Sequence, residues 1–176
     1  IRQSNDDFPS LQPCSGDIPK KEFECDSGLI CKEDCKLEIN MTSFLEVFNT
    51  NVFGLALLTK ELVPIMKKQN QGTIINIGSS ASVRGFKNGS IYAASKFAVR
   101  ALSQCWQVEL RPHNIRVCQV NPSEVTTAFA QKDRKERTEL DHKLSATEIA
   151  HTIISMIEMR NKGFVPEVNI WATNPF

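Results

Sequence analysis

Two β-branched runs joined by one helical stretch constrain this chain more than any other feature. Thr73-Ile74-Ile75-Asn76-Ile77 reads as a buried parallel strand and ends in Gly78-Ser79-Ser80. A helical pattern covers about Ser90–Leu110. A second strand, Ile115–Val120, then runs into Asn121-Pro122-Ser123-Glu124-Val125-Thr126-Thr127. Strand, loop, helix, strand of this length is a βαβ crossover, and such crossovers are right-handed. It carries Ser79 and the Asn121–Thr127 loop to one C-terminal sheet edge, where open α/β sheets bind ligands. The expected class is α/β with a parallel sheet.

The crossover helix carries chemistry. Tyr92 and Lys96 stand four apart in Ser90-Ile91-Tyr92-Ala93-Ala94-Ser95-Lys96, thirteen residues after Ser79. Residues i and i+4 share a helix face, so an ammonium stands beside a phenol. A nearby positive charge favours the phenolate, which suits a tyrosine to proton transfer near neutral pH. A Tyr-x-x-x-Lys pair alone also describes a surface lysine beside a half-buried tyrosine. The flanking strands and Ser79 favour the chemical reading.

With these motifs in order, the chain resembles the short-chain dehydrogenase/reductases, and its ketoacyl reductase branch in particular. The similarity runs from about Met41 to Phe176 and reaches back toward Cys25. Asn51, in Asn51-Val52-Phe53-Gly54, matches the family's helix asparagine. Ser79 matches the catalytic serine, with Ser80 the less favoured neighbour. Tyr92 and Lys96 match the signature pair, and Pro122, Val125 and Thr127 match the Pro-Gly-x-Val-x-Thr motif. The resemblance implies a Rossmann-like doubly wound parallel sheet, N-terminally truncated or replaced. It implies NAD or NADP as cofactor and a small carbonyl or alcohol as substrate, possibly a 3-oxoacyl thioester.

The resemblance also assigns roles. Tyr92 is the general acid in reduction and the base in oxidation. Ser79 orients the substrate oxygen, Lys96 bonds the ribose and lowers the tyrosine pKa, and Asn51 holds a relay water. Pro122, Ser123, Val125 and Thr127, with Tyr92 and Lys96, contact the cofactor. Ordinary structural roles for Asn51 and Ser79 remain the alternative.

Two departures stand out. Ser123 occupies the place of the family glycine, which serine can fill in most turn geometries. More seriously, no Thr-Gly-x-x-x-Gly-x-Gly run exists, although a dinucleotide fold needs such a turn to bring backbone against the pyrophosphate. Cys25-Asp26-Ser27-Gly28 is at best a diverged remnant of the family's Asn-Asn-Ala-Gly. The 176 residues suffice for one domain, whereas the family pattern implies about 250. The choice of NAD or NADP is unreadable. An inactive relative acting as an oligomerisation module is the competing function. The start at Ile1 suggests processing, truncation or an incomplete sequence.

Residues 1–40 form an irregular segment with Cys14, Cys25, Cys31 and Cys35, distinct from the catalytic portion 41–176. Free thiols are the favoured reading over a disulfide or zinc, since no histidine lies nearby. Strands are expected near 72–78, 115–120 and 166–172, with a poor one near 22–25. Ser43-Phe44-Leu45-Glu46 reads as a capping box opening a helix toward Lys67, with Leu45, Phe48, Val52 and Leu55 as its stripe. The second long helix has Ala94, Phe97, Ala98, Ala101 and Leu102 as its stripe. Cys105 and Cys118 read as small core residues.

Helices 43–67 and 90–110 are implied by the resemblance to build a homodimer or homotetramer. Ala128–Leu144 corresponds to the family's substrate lid, its charged run reading as a solvated face. Ser145-Ala146-Thr147-Glu148 caps a further helix. The formal charge of +1, with signs interspersed, leaves no nucleic-acid footprint. His113, His142 and His151 show no metal-ligand spacing. Val52–Met66 reads as too short to span a bilayer, and a cytoplasmic enzyme is expected.

Overall fold

The computed structural model describes residues 40–129, 133, 135 and 137–174. Cys14, Cys25, Cys31, Cys35, the Cys25–Gly28 remnant and the poor strand near 22–25 lie outside the described residues. The first element is α1 (Met41–Phe48), followed by a π-helical turn (Asn49–Gly54) and α2 (Leu55–Gln69). The cap is Asn40, whose side-chain oxygen accepts from Thr42 N at 3.0 Å and Ser43 N at 3.3 Å. Asparagine caps as well as serine does, so the helix opens three residues earlier than the Ser43 box suggests. Ser43 itself lies inside α1. The π turn inserts an extra residue into the helix, a device common at functional sites, and it carries Asn51.

Three parallel strands follow, β1 (Gly72–Ile77), β2 (Ile115–Pro122) and β3 (Glu167–Ile170), in the order β1-β2-β3. α3 (Ser90–Leu110) connects β1 to β2, and α4 (Ala146–Glu158) connects β2 to β3. Gly72 pairs with Ile115, Ile77 with Val120, and Pro122 with Ile170. Successive residues of a strand face opposite ways, so β2 feeds two cores. Ile115 and Val117 pack with Leu110, Val63, Met66 and Trp106 on one face. Cys118 and Val120 pack with Leu144, Ile149 and Met156 on the other. A parallel sheet covered on both sides is the expected α/β, doubly wound arrangement. The cap of α4 also stands as read: Ser145 Oγ accepts from Thr147 N, and the Glu148 carboxylate accepts from Ser145 N at 2.7 Å.

The inward face of α3 differs from its apolar pattern. Ser95, Val99 and Ser103 are buried, whereas Ala94, Phe97 and Ala101 of the expected stripe are exposed. The two serines tolerate burial because their hydroxyls are satisfied locally. Ser95 donates to Tyr92 O at 2.7 Å and Ser103 to Val99 O at 2.8 Å. Ser103 also accepts from Asn76 Nδ2 at 2.8 Å, which ties α3 to β1. Small polar groups bring the helix close to the sheet, and the larger apolar ones face outward.

Two further expectations need correction. Cys105 is exposed, while Cys118 is buried as read and its thiol is pushed up by that burial. The continuous helical stretch Met41–Gln69 is also long and apolar enough to cross a membrane by length and composition, because α1 extends the stretch beyond Val52–Met66. Leu57, Leu58 and Ile65 on it are exposed, and Leu45 of its expected stripe is exposed as well. Val52 is buried, and Asn51 Nδ2 donates to Ser95 Oγ at 3.1 Å, which holds the π turn against α3.

Candidate active site

The C-terminal ends of β1 and β2 and the first turn of α3 enclose an open cleft of about 940 Å³. Ser79, Tyr92, Lys96, Pro122, Ser123, Val125 and Thr127 all line it. The crossover thus brings together every sequence-predicted site residue except Asn51. Asn51 lies behind the wall, bonded to Ser95, whose own hydroxyl bonds the Tyr92 carbonyl. It braces the turn that presents Tyr92 and does not face the cleft.

Ser79 leaves β1 in extended backbone and caps a short 3-10 turn, Ser80–Ser82. Its Oγ accepts from Ala81 N at 3.1 Å, and its own N–H donates to the buried Ser82 Oγ at 3.0 Å. Ser79 lines the cleft, and its O–H is a donor suited to a substrate oxygen there. Lys96 Nζ lies 5.7 Å from the Tyr92 ring centroid and donates to Ile77 O at 3.0 Å. Burial holds the Lys96 ammonium below the usual lysine range. A tyrosine with a partly desolvated lysine beside it and a serine hydroxyl opposite is a proton donor and acceptor set for a carbonyl oxygen.

A polar network underlies these groups. Asn121, the residue before Pro122, donates through Nδ2 to Glu167 at 2.7 Å and to Asn169 at 3.1 Å. Its Oδ1 accepts from Gln119 Nε2 at 2.7 Å. Arg100, one turn beyond Lys96 on α3, lies with Nε 3.0 Å from each Glu167 oxygen. Gly78 packs directly on this cluster: an added Cβ would collide with Asn121 Oδ1 and come within 2.6 Å of Gln119 Nε2. Asn121 therefore joins the loop of Ser79, the loop of Pro122, β3 and α3.

Ser123 needs no glycine-like freedom here. Its N–H continues the β2–β3 ladder to Ile170 O at 2.8 Å. The following loop is clamped from the far side. Val125 bridges to Leu144, and Arg137 donates to Val125 O at 2.6 Å and Thr127 O at 3.2 Å. Arg137 and Lys143 also bond Glu124, at 3.0 and 2.8 Å. Lys143 first, then Arg137, holds the Glu124 carboxyl below its usual range. The reading of this run as a solvated face is therefore wrong for Arg137 and Lys143, whose heads turn inward because Glu124 and two loop carbonyls offer acceptors. Asp133 and Lys135 are exposed as read.

Arg100, Asn121, Arg137 and Glu167 were not legible as site residues. Only the adjacency of Asn121 to Pro122, and the four-residue step from Lys96 to Arg100, gave any hint.

The family model described as short chain dehydrogenase matches residues 28–138. The chain belongs to the short-chain dehydrogenase family. It is 40% identical over 92 residues to the 3-ketodihydrosphingosine reductase of Bacteroides thetaiotaomicron, covering 52% of this chain and 34% of that protein. It is 37% identical over 86 residues to the 3-oxoacyl-[acyl-carrier-protein] reductase of Thermotoga maritima, covering 49% and 35%. Among solved structures, an alcohol dehydrogenase from Thermococcus sibiricus complexed with 5-hydroxy-NADP superposes with a TM-score of 0.68 at 25% identity, covering 77% of this chain and 56% of that one. The matched stretches thus span about a third of these two relatives' own length. The family model bears out the expected similarity from Gly28, near the expected reach toward Cys25, as far as residue 138.

Part of the family's cofactor has a counterpart in this cleft. Ile77 is 47% exposed at the end of β1, so an apolar surface is open beside Pro122 and the Val125–Thr127 loop. That surface suits a nicotinamide ring, with the Lys96 ammonium beside it as a hydrogen-bond donor for a ribose. Among the described residues no glycine-rich turn for the pyrophosphate end lines the cleft, and the 176 residues carry no Thr-Gly-x-x-x-Gly-x-Gly run.

Proposed function

We propose that this chain is the catalytic portion of an NAD(P)-dependent oxidoreductase that interconverts a carbonyl and an alcohol. The observation that carries the reading is the convergence of Ser79, Tyr92 and Lys96 on one cleft beside the Pro122–Thr127 loop. A bound nicotinamide supplies or accepts the hydride. Tyr92 gives a proton to the carbonyl oxygen in reduction and takes it back in oxidation, and Ser79 donates a hydrogen bond that orients that oxygen. Lys96 holds positive charge beside Tyr92. A 3-oxoacyl thioester is the finer substrate candidate, supported by the likeness to the Thermotoga maritima reductase. Self-association through the outer faces of α1, α2 and α3 belongs to the same proposal, since Leu57, Leu58 and Phe97 are exposed there.

A second reading is favoured by one observation, the absent glycine turn. It makes the chain an inactive relative that acts through its helices. Turnover decides between them. Purified chain, NADPH or NADH and a panel of carbonyl compounds are followed by nicotinamide absorbance, with Tyr92→Phe as control. Oxidation of cofactor that disappears in the variant supports the enzyme. Identical traces for both proteins leave the interaction module.

A further inference from the structure

We propose that Arg137 is a positioning residue for cofactor binding: its guanidinium pins the Glu124–Thr127 loop by its backbone, so that Val125 and Thr127 are set before a nicotinamide arrives. This rests on the NAD(P) reading above. All three guanidinium nitrogens are engaged within that one stretch. Nη2 donates to Val125 O at 2.6 Å, Nε to Thr127 O at 3.2 Å and Nη1 to Glu124 Oε1 at 3.0 Å. Two of the three acceptors are thus backbone carbonyls, one on each side of Thr126. Thr126 has a different partner, its N–H donating to Leu144 O at 2.8 Å. Loop carbonyls on Arg137 and a loop amide on Leu144 fix the backbone of three successive residues.

The arrangement needs a guanidinium. Its planar fork spans separate acceptors at once, whereas an ammonium is a point donor on a flexible stem. Lys143 shows the contrast in the same place. It reaches Glu124 Oε2 at 2.8 Å and, among the described residues, no loop carbonyl. The Arg137 side chain is 34% exposed against 84% for Lys135 two residues earlier, so this cation is drawn off the solvated face and onto the loop. Val125 and Thr127 line the cleft beside Pro122, and Arg137 lines it with them. A loop held in its binding geometry beforehand removes an ordering cost from association. Without the two carbonyl bonds, that cost falls on the cofactor and lowers its affinity.

The test has one arm without cofactor and one with it. In the first, backbone hydrogen exchange is followed by mass spectrometry over the segment Ser123–Phe129 of the free protein. Arg137→Ala should exchange faster there and as the parent does over β1 and β2. Millimolar ethylguanidinium should restore the protection, and methylammonium should not. In the second arm, nicotinamide fluorescence gives the affinity for NADH and NADPH. Arg137→Ala and Arg137→Lys should each weaken the better cofactor by roughly tenfold, with ethylguanidinium recovering the alanine variant. Glu124→Gln removes the ion pair and keeps both carbonyl bonds, so it should weaken binding by no more than about threefold. Unchanged melting temperatures show that the variants remain folded. Exchange in Arg137→Ala equal to the parent's overturns the proposal, as does cofactor affinity that the variant retains. Full function in Arg137→Lys, or a loss in Glu124→Gln as large as that in Arg137→Ala, would assign the effect to charge on Glu124 and overturn it also. If the parent binds neither cofactor, the NAD(P) reading falls and the positioning role falls with it.

Discussion

The Lys96 ammonium donates to the Ile77 carbonyl oxygen at 3.0 Å, so the last residue of β1 holds the lysine of the signature pair. This bond links the strand that delivers Ser79 to the helix that presents Tyr92. It fixes the lysine where burial disfavours its charge.

A pH dependence of stability follows from that burial. The Lys96 pKa in the folded protein is lowered from the usual 10.5. Between the lowered value and the usual one, the unfolded chain binds the extra proton, so stability rises with pH across that window. Below the window both states are protonated and the burial cost is present in full. Denaturant unfolding from neutral to alkaline pH should show Lys96→Met losing this rise. The variant and the parent should converge as pH increases. Parallel curves would show that the ammonium is as well solvated folded as unfolded.

The Asn121–Glu167–Arg100 cluster predicts an asymmetry between two substitutions. Glu167→Ala leaves Arg100 without its carboxylate and Asn121 Nδ2 with Asn169 as its one remaining acceptor, and should cost about 1–3 kcal/mol. Glu167→Gln keeps an oxygen for Asn121 and should cost less than half as much. Denaturant midpoints at constant slope measure both. Equal losses would mean that the carboxylate acts through charge with Arg100 alone.

The clamp on the Glu124 loop should be sensitive to acid. Lys143 and Arg137 depress the Glu124 pKa, so the contribution is present above the ordinary carboxyl range and lost as pH falls through the depressed value. The Glu124 side chain is 54% exposed, so solvent screening limits the effect to roughly 0.2–1 kcal/mol. Glu124→Gln should remove it at neutral pH and change nothing in strong acid. Chemical denaturation across the acid range, at low and high salt, reads the difference directly.

Substitutions in the cleft should separate chemistry from binding. Tyr92→Phe removes the proton donor and should lower kcat by about 10²–10⁴ with KM nearly constant. Ser79→Ala removes one donor to the developing oxyanion and should lower kcat by about 10²–10³. Asn51→Ala acts from behind the cleft wall and should show the smaller kcat loss of the three. Steady-state kinetics on any carbonyl compound the chain reduces would rank them.

The pattern of β-branched runs and helix spacing made the parallel sheet and its edge legible, because strand pairing and crossover length are local properties of the sequence. Ser79, Tyr92 and Lys96 were legible for the same reason: their spacing along β1 and α3 brings them to one cleft, whereas Asn51, on the π turn, bonds Ser95 instead. The inward face of α3 was not. Ser95 and Ser103 read as polar, and their burial rests on bonds to the Tyr92 and Val99 carbonyls together with Asn51 and Asn76, at 44 and 27 residues' separation. Arg137 and Glu167 were hidden likewise, since their partners are 10 to 67 residues distant. Burial satisfied by distant partners leaves no period in a sequence.

The central claim is that this chain, without a glycine-rich turn, still holds a nicotinamide against Tyr92 and Lys96. Titration of the purified chain with NADH and with NADPH, following nicotinamide fluorescence, tests it most directly. The account predicts saturable binding of at least one cofactor, weakened by Lys96→Met and nearly unchanged by Tyr92→Phe. No binding at millimolar cofactor would contradict it.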